Sequence, residues 1–237
     1  MKFNFHHIMK TTLPNKHSSP WIRILFGAAW LPLAISLSAQ TFTRYDAQPA
    51  GSKVKLAGDS SLHEWTMEGT IIGGFLEIDS AVKIDTAEKT IAGLTGGKVN
   101  TRAQVSIPIR SIKSGKSSMD SAMQDAMNQK TFPKIEYRLN ELVLKDTPHA
   151  AGSPFQFEST GELSMNGVTN KISMPVTIDR VDKSKLKITG SVPLKMTAFH
   201  IKPPTLTVLG LGIKTDDNVK VSVDWLVAPQ EKTGEAK

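Results

Sequence analysis

The 237-residue chain contains no cysteine. That single absence removes disulfides, thiolate metal sites, iron–sulfur clusters and cysteine nucleophiles, so the fold must hold by packing alone. Histidine is also scarce: beyond residue 39 only His63, His149 and His200 remain, and no two of them have the spacing of a metal pair. There is no Gly-x-Ser-x-Gly elbow and no His-Glu-x-x-His. Ser114-Gly115-Lys116-Ser117 ends like a phosphate-binding loop, but where that loop needs a glycine, five residues before Gly115, the chain has Arg110. Aromatics make up only 6%. Lys183, Lys185 and Lys187 alternate with no aromatic between them, which reads as a solvated face and not a nucleic-acid surface. Glycine and proline sit near average usage, against a fibrous or low-complexity chain, and the length fits one domain.

Acid is absent from the first 39 residues, which carry Lys2, Lys10, Lys16 and Arg23, four of the formal +7. More than half of the basic excess therefore belongs to this leader, and the remainder is only mildly basic. Residues 24–37 form an apolar run of 14, preceded by the basic segment and followed by Ser38 and Ala39. That is the layout of a secretory signal peptide. A spanning helix needs about 20 apolar residues, and Pro32 interrupts this run. A retained anchor is the competing reading. The expected organisation is a signal peptide over 1–39, a linker over 40–50, a folded domain over 51–228 and a loose tail over 229–237. Such a chain is exported to the periplasm or secreted.

Within the folded part the dominant signal is alternation with period two. Val99, Thr101, Ala103, Val105, Ile107 and Ile109 share one face, as do Leu186, Ile188, Gly190, Val192, Leu194 and Met196, and Val219, Val221, Val223, Trp225 and Val227. These are strands with one apolar side. Asn166-Gly167 predicts a two-residue type I′ turn, because both central positions need positive φ. That turn sets Met165 opposite Val168, Leu163 opposite Asn170, Gly161 opposite Ile172, Ser159 opposite Met174, Phe157 opposite Val176 and Phe155 opposite Ile178. Turn chemistry and hydrophobic pattern agree on this register.

One segment departs from the rule. Over Ser117–Gln129, Met119, Met123 and Met127 recur every four positions, which is helical spacing; Ser117 or Ser118 is placed to cap the helix and Asp120 falls in its first turn. One short α-helix among roughly eight long antiparallel strands predicts an all-β protein whose apolar faces close into a barrel or pack as two sheets. Gly161, Gly190, Ala103, Met67, Met174 and Met196 are small or flexible inward residues. They fit either a partly hollow barrel or a solid core. Thr197–Thr215 is too apolar for an ordinary loop and is expected to cover something greasy.

Ser61-Leu62-His63-Glu64-Trp65 leading to Gly73-Gly74-Phe75, Ile107-Pro108-Ile109 with Ser114-Gly115 and Met119-Asp120, Phe132-Pro133-Lys134-Ile135, Gly161 through Thr169, and Pro203-Pro204 after Phe199 occur in an order that resembles the YceI-like family. The resemblance spans about Ala50 to Val227. It implies an eight-stranded antiparallel lipocalin-like β-barrel with one short α-helix, periplasmic, often dimeric, with no cofactor and no recognised catalytic residue. Its bore would take an isoprenoid quinone or polyprenyl lipid, with transient membrane contact. On that reading the wall candidates are Trp65, Met67, Phe155, Phe157, Met174, Val176, Leu194, Met196 and Trp225, with Phe199 and Leu206 as lid. A filled-barrel interaction module is the alternative. An enzyme would have to rely on His63 or His200; each reads as structural, His63 on one strand face with Trp65, His200 in a loop where a ligand head-group contact is the other option.

Overall fold

In the computed structural model the Asn166-Gly167 turn joins β9 (Phe155–Met165) to β10 (Val168–Arg180), and all six expected residue pairings are present. Asn166 and Gly167 have φ of 50° and 75°, the left-handed values that the turn requires. The structure describes residues 40–85, 88–146, 153–182, 184–208 and 211–230. The expected signal peptide, His149 and residues 231–237 of the expected tail lie outside them.

The other described strands are β1 (Phe42–Ala47), β2 (Lys53–Ser60), β3 (Trp65–Gly69), β4 (Gly73–Asp79), β5 (Lys83–Asp85), β6 (Thr90–Ala92), β7 (Thr101–Pro108), β8 (Lys134–Asp146), β11 (Leu186–Lys195), β12 (Thr205–Val208) and β13 (Leu211–Pro229). Eight of them, in the order β1-β4-β7-β8-β9-β10-β11-β13, close on themselves because β13 pairs back onto β1. The result is a closed antiparallel barrel. Closure leaves the main ring no free edge, and period-two alternation sends one side chain in two to the interior.

The seam is unusual. Along one edge β13 pairs with β11; along the other it pairs first with β2, from Thr215 to Asp224, and then with β1, from Val227 to Pro229. The β2–β3 hairpin thus fills the wall beside β1, and β3 is tied onward by reciprocal Glu68–Lys113 backbone hydrogen bonds of 2.8 Å. Residues 42–47, expected in a linker, are therefore a barrel strand. Tyr45 and Ala47 pack on the core, and the Arg44 guanidinium stacks 3.9 Å over Phe75 and reaches Glu77 at 3.2 Å. The sequence alternation there is short and half polar, which hides it from a periodicity reading. At the other terminus, β13 runs to Pro229 and Gln230 N–H donates to Arg44 O at 2.9 Å, so the first residues of the expected tail belong to the seam.

The helix α1 (Ser117–Ala126) ends three residues before the expected Gln129. Lys116 occupies the N-cap and neither serine hydroxyl caps it. The entry is fixed instead by Asp120, whose carboxylate accepts from Ser114 N–H and Ser114 Oγ, each at 2.7 Å, with Lys113 Nζ at 3.7 Å. Burial pushes the Asp120 carboxyl up, but these hydrogen bonds and the Lys113 charge outweigh it and leave it below the usual aspartate value.

Candidate functional site

Neighbouring strands put β8 Lys134, β9 Met165, β10 Val168, β11 Lys195 and the helix at one end of the barrel. The opposite end holds Phe155, Ile178, Leu186 and Val227, all buried to 2% exposure or less. Val82, just before the β5–β6 hairpin, and Ile84, within it, join the same core, and Arg180 donates to Ile84 O at 3.4 Å. That end is sealed by side chains. The other is not: a cavity of about 330 Å³ runs through the interior and reaches solvent among Ser60, His63, Lys116, Ser118 and Lys195. The barrel is hollow, which settles the question the inward small residues left open.

Of the expected wall, Trp65, Met67, Met174, Val176, Leu194, Met196 and Trp225 border the cavity, and so does Phe199 of the expected lid. Phe155 and Phe157 do not. They lie at 0% and 1% exposure, ring centroids 6.4 Å apart, and form part of the plug beneath the cavity. Period two says that a residue points inward but not at what height, so alternation alone could not separate floor from wall. The backbone of Leu206 pairs with Ile213, while its side chain lies outside the described part. Elsewhere in Thr197–Thr215, Ile201, Pro204 and Ile213 do border the cavity.

Phe199 of the expected lid ends a 3₁₀ turn, Met196–Phe199, held on both sides. Asn166 Nδ2 donates to Phe199 O at 3.1 Å and to His200 O at 3.2 Å, and Asn170 Nδ2 donates to Ala198 O at 2.7 Å. From β13, Asp217 accepts from Thr197 N–H at 2.8 Å and from its hydroxyl at 2.7 Å; these bonds hold the Asp217 carboxyl below the usual range. His200 closes the turn in the left-handed conformation with φ of 54°, exposed, a structural role. His63 sits in the bend before β3, not on the strand with Trp65; its Nδ1 lies 2.7 Å from Glu64 O, at the cavity mouth.

Sequence reasoning found the methionine helix but not its place. Met119, Met123 and Met127 border the cavity, so α1 lies against the open end with flexible, polarizable side chains turned toward the interior. Two aromatics lie over glycines. Trp65 crosses Gly58, where a Cβ would come 2.7 Å from its Cε2, and its Nε1 donates to Asp59 O at 3.0 Å. Tyr137 crosses Gly161, where a Cβ would stand 2.5 Å from the phenol oxygen. A strand glycine beside a cross-strand or diagonal aromatic is a sequence signal that could have located both. Tyr137 Oη then meets Ser159 Oγ at 2.6 Å, and burial raises the phenol above its ordinary value, with the Ser159 hydrogen bond opposing. Both residues line the cavity.

A closed eight-stranded barrel with an apolar interior open at one end is the architecture of the small hydrophobe-binding barrels. The YceI-like domain matches residues 45–226, and the chain belongs to that family. Among solved structures, Burkholderia cenocepacia BcnA is similar at 18% identity with TM-score 0.55, covering 76% of this chain and 99% of that one. A polyisoprenoid binding domain from Saccharophagus degradans is similar at 14% identity with TM-score 0.55, covering 81% and 100%. No curated protein matches the chain by sequence.

Proposed function

We propose that this protein is an exported, non-enzymatic carrier or buffer that holds an isoprenoid or other long-chain lipid in its barrel. The observation that carries the reading is the cavity of about 330 Å³ bordered by aliphatic, methionine and aromatic side chains, with its exposed polar residues gathered at one mouth. The similarity to a polyisoprenoid binding domain supports the lipid class, and the basic, apolar, small-residue layout of residues 1–39 supports export. The wall is Trp65, Met67, Met174, Val176, Leu194, Met196 and Trp225, roofed by Phe199 and the methionines of α1.

Size sets the affinity. At ~30 Å³ per methylene-sized group, the liquid share of a water, the cavity accepts about eleven such groups, or roughly two isoprene units. At ~0.8 kcal/mol each this is about 9 kcal/mol gross, against at least ~4 kcal/mol of lost freedom on association. A bilayer interior is as apolar as this wall, so transfer from membrane to barrel gains little. Those magnitudes describe reversible exchange, not a permanent sink. Organic extraction of protein purified from its exported form, followed by mass spectrometry, should return an isoprenoid or long-chain lipid near one per chain; protein that never carries lipid, even after incubation with lipid vesicles, refutes the reading.

A further inference from the structure

The sulfur of this chain is gathered in one place. There is no cysteine; of the nine methionines Met1 and Met9 belong to the leader, and the other seven all border the cavity. None lies in the plug formed by Phe155, Phe157, Leu186 and Val227. The seven are not equally protected. Met67 and Met127 are 2% and 6% exposed, whereas Met119 and Met123 are half-buried. These two stand one turn apart on α1, next to Lys116 and Ser118, which are exposed at the mouth. Met165, Met174 and Met196 are half-buried too, but the first two sit in the β9–β10 ladder and the third opens the turn that Asn166, Asn170 and Asp217 clamp.

What sets Met119 and Met123 apart is the fastening of α1. Among the described residues no hydrogen bond or ion pair runs from this helix to a barrel strand; Asp120 ties it only to Ser114 and Lys113, in the segment just before it. Met119, Met123 and Ala126 pack against the core, so the helix rests on the barrel through apolar contact, and the two thioethers are the largest side chains it turns inward. We infer that Met119 and Met123 form an oxidation-sensitive catch, which a peroxide entering at the mouth converts to sulfoxides so that α1 loses its seat and the guest is released. The sulfur lone pair attacks one oxygen of hydrogen peroxide and the O–O bond breaks; the sulfur is oxidised by two electrons. The hydroxide that leaves takes the proton of the transferred oxygen and departs as water. With no thiol in the chain, methionine is the residue on which such an oxidant acts. A sulfoxide oxygen set against an apolar wall lacks the hydrogen bonds that water gives it, so the oxidised side chains turn outward and withdraw the contacts that hold the helix. This rests on the lipid-carrier reading and adds to it a release step.

The test loads purified protein with geranylacetone, an isoprenoid ketone, treats it with hydrogen peroxide and reads oxygen uptake at each methionine by peptide mass spectrometry. Met119 and Met123 should be oxidised at least about tenfold faster than Met67 and Met127. In step with them the ketone Kd should rise about fivefold to a hundredfold, the range for one polar group placed against an apolar wall. Methionine sulfoxide reductases should restore binding. The Met119→Leu/Met123→Leu variant conserves volume and apolar character, so it should bind the ketone within about twofold of wild type and keep it through the peroxide treatment. A melting curve verifies its fold, and the wild-type time course decides the matter without it. Equal oxidation rates at these four positions, an unchanged Kd once Met119 and Met123 are sulfoxides, or equal release from a folded leucine variant each overturns the proposal and leaves the lipid-carrier reading standing. An untreated wild type that binds no ketone overturns that reading and the proposal with it.

Discussion

Val176→Phe separates a hollow barrel from a filled one by the sign of a stability change. Val176 borders the cavity at 5% exposure and pairs laterally with Phe157 and Gly190. A ring in place of its two methyl groups displaces roughly two methylene-sized groups of guest, at ~30 Å³ each. At ~0.8 kcal/mol per group the bound lipid loses about 1.6 kcal/mol, near fifteenfold in Kd. In a packed core the same substitution would strain its neighbours by about 1–3 kcal/mol. In this cavity the ring enters open space, so the lipid-free variant should unfold at the same denaturant concentration as wild type or higher. Chemical denaturation of delipidated protein, together with titration of an isoprenoid ketone, measures both quantities. A variant destabilised by more than about 1 kcal/mol that binds lipid as well as wild type does would refute the reasoning.

Three further outcomes follow from the described contacts. Asn166→Ala loses the side-chain donor to Phe199 and His200 carbonyls and puts alanine, which lacks asparagine's tolerance of the left-handed region, at φ of 50°, so it should lower unfolding stability by about 2 kcal/mol in guanidinium titration. Asp120 has a folded-state pKa below its unfolded one, so its contribution is complete above the unfolded value of ~3.9 and fades as pH falls through the lower folded value. The stability gap between wild type and Asp120→Asn should therefore be level from about pH 7 to 5 and close below about pH 4, as followed by circular dichroism. Finally, of the four tryptophans Trp21 and Trp30 belong to the leader, while Trp65 and Trp225 both border the cavity. In protein lacking residues 1–39, lipid titration should change the whole intrinsic emission; emission that stays constant during proven binding contradicts the assigned wall.

Much of this was legible in the residues. The Asn166-Gly167 turn specified the β9–β10 register because a two-residue loop leaves no slack, and the alternation in β7, β11 and β13 named the inward faces. What alternation lacks is a coordinate along the barrel axis. Phe155 and Phe157 were thus indistinguishable from Val176 and Met174, although the first two plug the floor and the second two border the cavity. The Tyr137–Ser159 contact depended on the β8–β9 register, which an irregularity between Leu139 and Glu141 shifts and no turn rule predicts. The methionine spacing marked α1 as a helix, but where a lone helix docks is decided by the surfaces left open, and those exist only once the sheet has curled.

The seam made by β13 has a kinetic meaning. Its pairings join Tyr45 to Pro229 and Ala47 to Val227, nearly the first and last described residues, and the same strand holds β2 in place. Until this terminal ribbon docks, there is no enclosed lumen, only an open curved sheet whose greasy side faces water. On the proposed carrier function, a passenger is either swallowed at the moment the wall zips shut or admitted later past the methionine helix; pulse-labelling lipid during refolding would tell a trapped cargo from a loaded one.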